Sequence, residues 1–378
     1  MTRTLIFEIN AGEGGHHIEY LHHIYLGAEI TNNYLVFVVP EEFKKTSERF
    51  DWPERKNVSF QYISTAEINS VTTKKGFQKI YHLCKMLRYY TLKHSIDSVF
   101  LISLANYLLF IPLLLPKRVK VSGIIYNIYL YSWHKLSIKK KVEQMLIHIV
   151  LTKCKIFERI YILNDRSAVA YFNKLYVSEK YFYLPDPIIQ LPTKRIDTRK
   201  MLGIPEDGIF FLQCGNQNIR KNPLKILKTI SELSPKENFY YVIAGKLHPL
   251  IKDEIVRNAN ILGKVHNIII RDEHLSYDMM NSLIEDSDCM FLLYENNTQS
   301  SGFMGYAALH GTPVIAYKNG LIGKIVKRYH LGKLVEPNNC NDIKNAICSI
   351  EQKGVSKNNS YSVNHTVGDF IDKIFISK

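Results

Sequence analysis

Residues 288–316, DCMFLLYENNTQSSGFMGYAALHGTPVIA, decide the fold of this chain. Asp288–Tyr294 is an apolar run of strand length. Ser300–His310 reads as a helix, Gly311-Thr312-Pro313 as a turn and Val314–Ala316 as the next strand. Two strands separated by a helix must lie parallel, because a tight hairpin cannot join them. Such units pack into sheets covered by helices on both faces.

The same alternation extends in both directions. Upstream, Ile209–Cys214 is a strand, Gly215 a turn and Pro223–Leu233 a helix. Phe239–Ala244 is a strand ending at Gly245, Asn267–Ile270 another, and Tyr277–Glu285 a helix. Further back, Tyr183-Leu-Pro-Asp-Pro187 and Pro192 place three prolines where neither a helix nor a central strand can hold them. That stretch reads as an interdomain linker. Before it the pattern runs again. Leu5–Ile9 is a strand, Asn10-Ala-Gly-Glu-Gly-Gly15 a glycine turn, His16–Gly27 a helix and Tyr34–Val39 a strand. Ser98–Ser103, Val119–Tyr126 and Ile160–Leu163 follow as further strands. The expected class is therefore α/β, with two Rossmann-like domains facing across a cleft. Residues 1–187 form the first domain, 194–357 the second, and 358–378 a terminal segment.

Charge is unevenly placed. The 378 residues carry a net charge of +14. Between Lys74 and Lys180 there are nineteen Lys/Arg against five Asp/Glu, which leaves thirty of each elsewhere. One basic surface follows, with anionic lipid headgroups as its expected partner. Within it, Lys74–Lys93 predicts an amphipathic helix with Phe77, Ile80, Tyr81, Cys84 and Leu87 on the core side. Lys75, Lys79, His82 and Arg88 decorate the other side. Lys139-Lys140-Lys141 opens a second helix. No aromatic-basic signature or nucleic-acid motif accompanies the charge, so nucleic acid is not an expected partner. Val99–Leu115 is strongly apolar but is broken by Asn106 and Pro112. It also falls short of the roughly 20 residues of a membrane span, and it reads as a buried strand followed by a core helix. Six scattered cysteines without a C-x-x-C pair, and Glu8 inside the first apolar run, point to a reducing, cytoplasmic setting.

Several motifs in the second half carry a resemblance. Leu202-Gly-Ile-Pro, Phe211-Leu-Gln-Cys-Gly215, Arg220-Lys221-Asn222-Pro223, Val242-Ile-Ala-Gly245 and the stretch Gly302–Ala316 together resemble the bacterial group 1 glycosyltransferases of GT-B fold. The resemblance implies that the second domain binds a nucleotide-diphosphate sugar, that the first binds a glycan or lipid-linked acceptor, and that Val367–Phe375 crosses back to the first domain. It implies no cofactor and no metal. It also implies surface polysaccharide assembly, and the basic residues 74–180 add peripheral attachment at the inner membrane face as an expectation.

Carried over position by position, Lys221 with Arg220 would grip the diphosphate. Cationic side chains in that place neutralise charge growing on the leaving group. Ser300, Ser301 and Gly302 would present a helix N-terminus to the phosphates. Gly215, Gly245, Arg271 and Tyr306 would line the nucleotide and ribose. The retaining branch has a pair of glutamates separated by seven residues; Thr298 and Tyr306 occupy those positions here, and Glu295 is the nearest acid. In the first domain Gly14 and Gly15 permit close backbone approach. His16 or His17 is placed as an acceptor-side donor or general base, with His134 as a further candidate. The pairs His16-His17 and His22-His23 lack the spacing of three or four, and the further ligand, that a metal site wants. A nucleotide-sugar 2-epimerase and a non-catalytic nucleotide-sugar-binding scaffold share the fold and are the rival readings.

Overall fold

The structure, a computed structural model, describes residues 1–11, 16–48, 50–190, 193–234, 238–295, 298–351 and 359–376. The chain divides into two compact units, Met1–Pro185 with Val367–Lys378, and Asp186–Thr366.

Unit 1 is built on a seven-stranded parallel sheet. Its strands are β1 (Arg3–Phe7), β2 (Tyr34–Pro40), β3 (Val58–Ile63), β4 (Ser98–Leu101), β5 (Lys120–Ile125), β6 (Phe157–Leu163) and β7 (Tyr181–Leu184), in the order β3-β2-β1-β4-β5-β6-β7. The order reverses between β1 and β4, which is where ligands of doubly wound sheets bind. The central strands are continuous apolar runs because helices bury both faces. Leu5, Ile6 and Phe7 of β1 and Leu35 to Val39 of β2 are all buried.

The Val99–Leu115 run becomes β4, a 3-10 turn at Leu104–Asn106 and a short helix at Ile111–Leu114 that has Pro112 in its first turn. It is thus a strand followed by two short helical pieces instead of one core helix. Lys74–Lys93 forms the helix Gly76–Lys93, but its buried face is Leu83, Cys84, Leu87, Tyr90 and Thr91. Phe77 and Tyr81, expected in the core, are exposed. Phe77 sits in the first turn, and full burial begins only at Leu83, two turns into the helix. The lysine run lies in the helix Ile138–Lys153, capped by the Ser137 hydroxyl. The helix Val367–Phe375 packs on His16–Gly27: Phe370 stacks on Tyr20 at 5.4 Å, and the Phe375 ring lies where a Cβ on Gly27 would stand.

Unit 2 carries six parallel strands, β8 (Ile209–Cys214), β9 (Phe239–Ala244), β10 (Asn267–Arg271), β11 (Cys289–Leu292), β12 (Val314–Tyr317) and β13 (Gly332–Val335), in the order β10-β9-β8-β11-β12-β13. Its core gathers Phe211, Tyr241, Phe291 and Tyr317 with apolar residues of the helices Pro223–Ser231, Pro249–Leu262 and Cys340–Cys348. The switch point lies between β8 and β11, whose register pairs Cys289 with Phe211 and Met290 with Leu212. Both halves are therefore α/β and doubly wound, as the alternation of strands and helices predicts.

Candidate functional site

The carboxyl ends of β8 and β11 bring together most of the residues singled out in the second half. After β8 the chain turns at Gly215, whose φ of 81° lies in the left-handed region that favours glycine. A Cβ there would stand 2.3 Å from the Phe303 ring and 2.9 Å from Lys221 Nζ. Gly245, after β9, has φ 127°, and a Cβ on it would meet the Gly215 carbonyl oxygen at 2.3 Å. The two glycines let neighbouring loops close on each other, which fixes the floor of the site.

Lys221 is no surface lysine. It is 4% exposed and its ammonium donates to the Cys214 carbonyl at 2.5 Å. It stands 4.6 Å from the Phe303 ring centre and 5.9 Å from that of Tyr294. Burial pulls its pKa down to about 8, and Arg220 pushes the same way. A buried chain of polar groups sets its backbone: Tyr241 Oη donates to Gln213 Oε1 at 2.5 Å, and Gln213 Nε2 donates to the Lys221 carbonyl at 2.7 Å. Arg220 lies over the Tyr294 ring at 4.6 Å. In the same loop Gln217 Oε1 and Asn218 Oδ1 are buried acceptors without a hydrogen-bond partner among the described residues. Such groups are rare in folded proteins, and ligand or water is a common reason for them.

Facing this loop is the helix Gly302–Leu309. Ser301 stands at its N-cap, but its hydroxyl does not cap the helix; it donates to Tyr294 Oη at 3.4 Å. The first amides of the helix are thus left uncapped by that side chain, and they point where an anion is stabilised. Ser300 donates to Asp186 at 2.8 Å. Glu295, three residues beyond β11, is tied to the β8 loop. Its N–H donates to the Arg220 carbonyl at 2.8 Å, and its Oε1 accepts from Asn222 Nδ2 at 2.8 Å. Asn222 has φ 56° and begins the helix Pro223–Ser231.

Of the remaining positions, Arg271 reaches the group through its backbone, its carbonyl accepting from the Gly245 N–H at 2.9 Å, and Tyr306 lies on the helix Gly302–Leu309 itself. Arg271 ends β10, two strands away from β8, and pairs with Glu273 at 2.7 Å. Tyr306 is buried and meets the Tyr277 ring edge-on at 5.9 Å. His134 is exposed on the 3-10 turn Tyr129–Lys135. Gly14, Gly15 and the side chain of His16 lie outside the described residues.

In unit 1 the switch point holds a pair that the sequence does not announce. Glu8, immediately after β1, is buried, and its Oε1 accepts from the Asn10 N–H at 2.9 Å. Its Oε2 lies 3.3 Å from His17 Nδ1. The contact has ion-pair distance without hydrogen-bond geometry, so the carboxylate acts on the imidazole through its charge and leaves Nε2 to act on a substrate. His22 is half-buried with its Nε2 2.8 Å from the Asp51 carbonyl oxygen, and His23 lies in the core. Both nitrogens of His23 are buried without a hydrogen-bond partner among the described residues, and burial drives its pKa down to about 3. Among the described residues no group of three His, Cys, Asp or Glu is arranged to hold a metal, and no helix is long and apolar enough to cross a membrane.

Residues 194–365 match the sequence profile of the glycosyl transferases group 1 family. No curated protein matches the sequence. Among solved structures, HepE of Anabaena, in complex with UDP and glucose, is similar with a TM-score of 0.65 at 13% identity, covering 99% of this chain and 98% of that one. WaaG, a glycosyltransferase involved in lipopolysaccharide biosynthesis, gives 0.62 at 13% identity, covering 99% and 100%. UDP-GlcNAc 2-epimerase of Methanocaldococcus jannaschii gives 0.61 at 15% identity, covering 99% and 98%. At such identities the likeness establishes the architecture, which is GT-B, and the profile match supports glycosyl transfer as the chemistry.

Proposed function

We propose, for a chain whose residues 194–365 form a group 1 glycosyltransferase domain, that it moves a sugar from a nucleotide-diphosphate sugar to a glycan or lipid-linked acceptor. The setting we infer is surface polysaccharide assembly at an anionic membrane surface, with no metal taking part. The observation that carries the reading is the buried ammonium of Lys221 beside the N-terminus of Gly302–Leu309. A cation kept dry at a loss of its own hydration is suited to a dianionic leaving group, since Coulomb attraction strengthens where water is excluded.

In this reading unit 2 holds the donor. Lys221, Arg220 and the amides at Gly302 take the charge that develops as the bond between the anomeric carbon and the diphosphate oxygen breaks. Unit 1 holds the acceptor, and His17, oriented by Glu8, receives the proton of the attacking hydroxyl. Glu295 holds the Arg220–Asn222 turn in place and offers its second oxygen to the donor sugar. The leaving diphosphate departs with the electron pair of the broken bond, so charge and protons balance without a metal.

The test begins with a thermal-shift panel of UDP-, GDP-, dTDP- and CMP-sugars to find the donor. Nucleoside diphosphate release is then followed with and without candidate acceptors. Release that depends on acceptor supports transfer. Conversion of the sugar without acceptor identifies an epimerase, and binding without any turnover identifies a scaffold.

A further inference from the structure

The helix Ile138–Lys153 is held by one face and bare on the other. On the inner side His148 stacks on Phe172 at 4.6 Å and Tyr176 at 5.3 Å, and its Nδ1 meets Tyr181 Oη at 2.5 Å. Leu151 and Thr152 are buried with it. On the outer side Ile138, Val142, Met145, Leu146 and Ile149 are exposed, Ile138 by 81% and Leu146 by 56%. Their spacing of four, three, one and three residues sets all five on a single stripe. Exposed apolar residues are ordinary when scattered, but a continuous stripe marks a surface that something covers.

Charge identifies what covers it. Lys139, Lys140, Lys141 and Lys153 lie along the helix, and its one acid, Glu143, is engaged by Lys140 at 2.8 Å. Trp133, on the turn before the helix, lies 5.1 Å beneath the Lys141 ammonium. At 100° per residue, Lys139 falls beside one edge of the stripe and Lys141 beside the other, while Lys153 lies in line with the stripe at the helix's C-terminal end. A second copy of the chain would bring these lysines against themselves across a two-fold contact. An anionic bilayer meets both needs at once, taking the apolar stripe below the headgroups and the lysines among them.

We infer that the face of Ile138–Lys153 carrying Ile138, Val142, Met145, Leu146 and Ile149 inserts into the interface of an anionic membrane. The inference rests on the proposed membrane setting and adds an inserted part to it. Attraction by basic residues alone vanishes as salt shortens the screening length to about 3 Å at 1 M, whereas buried apolar area does not respond in that way.

The full chain is sedimented with vesicles of phosphatidylcholine and of phosphatidylcholine mixed with phosphatidylglycerol, at low and high salt. Wild-type protein should bind the mixed vesicles strongly at low salt, keep a measurable part of that binding at 1 M salt, and shift its tryptophan emission to the blue. Leu146→Glu and Ile149→Glu should each lower partitioning about tenfold at either salt, as expected for losing one buried aliphatic side chain. Lys139→Gln and Lys141→Gln should each lower it about fivefold at low salt only. All four sites are exposed or at the helix surface, and unchanged far-UV circular dichroism checks that each variant is folded.

Equal binding by wild type and Leu146→Glu overturns the inference, as does equal binding to neutral and mixed vesicles. A dimer in sedimentation equilibrium that Leu146→Glu converts to monomer overturns it in favour of self-association. Donor hydrolysis in the absence of vesicles is measured on the same samples. If that activity is missing while vesicle binding behaves as stated, the transferase reading falls and the membrane face stands.

Discussion

Lys221 is costly to keep where it is. Its folded pKa of about 8 lies below the ordinary lysine value, so the unfolded chain binds its proton more tightly. Stability therefore rises with pH from about 8 to the unfolded value, and at neutral pH the full penalty is present. Lys221→Met should thus leave the protein as stable or more so, despite the lost bond to Cys214, while turnover falls on the order of 10²-fold. A variant that melts lower than wild type would mean that the ammonium is structural. Diphosphate binding should weaken as pH rises through about 8, because the anion needs the protonated form, and above that pH binding should take up protons. Calorimetry in buffers of different ionisation enthalpy reads that uptake directly.

The carboxylate of Glu8 makes a second claim at this scale. Glu8→Gln keeps shape and removes the charge that faces His17 Nδ1. Turnover should fall about 10- to 100-fold with donor affinity unchanged, and His17→Ala should not add to the loss by its full amount. Full additivity, or no loss at all, would take the pair out of proton transfer. Arg220-Lys221 is legible in the sequence through the resemblance to the group 1 glycosyltransferases, which place a basic residue after that glycine turn. Glu8 is not, because its partner is nine positions away, on a helix whose placement only the folded sheet fixes.

The strands that could be read directly were those buried on both faces. β8 and β9 coincide with their apolar runs, and the helix His16–Gly27 with its periodicity. β3 escaped because Val58-Ser-Phe-Gln-Tyr-Ile63 is a half-buried edge strand that mixes Ser and Gln into the run. β7 ends at Leu184, immediately before Pro185, so its prolines terminate a strand where the sequence suggests only a linker. β13 is another short edge, with Gly332 and Lys333 exposed.

Loop geometry after these strands was half legible. Gly215 and Gly245 were visible as glycines, but their contact with each other was not. Gly245→Ala would set a Cβ against the Gly215 backbone in a left-handed conformation, and neither strand end can yield. It should destabilise unit 2 by about 2 kcal/mol or more. Gly215→Ala is also strained at φ 81°, but its Cβ meets the Phe303 ring and the Lys221 ammonium, which can shift, so it should cost less stability and also weaken donor binding. Urea titration followed by circular dichroism, beside nucleotide binding, separates the two. Equal stability of Gly245→Ala and wild type would show that the loops are not pressed together.

Across the whole molecule the two units differ in what they bury. Each has its own parallel sheet and core, but the basic excess of residues 74–180 lies wholly in unit 1. So do both tryptophans, Trp52 and Trp133, and the buried histidines His23 and His148, while His266 and His365 are buried in unit 2. Burial lowers His23 to about 3 and His148 to about 4. Below the unfolded value of about 6.5 the unfolded chain takes up protons that the folded unit refuses, so unit 1 loses stability as pH falls. The loss stops only when the folded groups themselves titrate. With two such groups it is on the order of 3–4 kcal/mol between pH 7 and 5. In unit 2 His266 is lowered in the same direction, while Asp272, held down at about 2 by the Leu247 N–H and Lys252, matters only at much lower pH. Mild acid should therefore melt unit 1 first. Tryptophan emission reports unit 1 alone and should show a midpoint that drops between pH 7 and 5, while part of the far-UV signal persists to higher temperature. His148→Phe, which can keep the stack on Phe172 and removes the proton site, should flatten the pH dependence of the emission midpoint by about half. Coincident transitions at every pH would show that the two units unfold as one, and an unchanged slope in His148→Phe would place the acid sensitivity elsewhere.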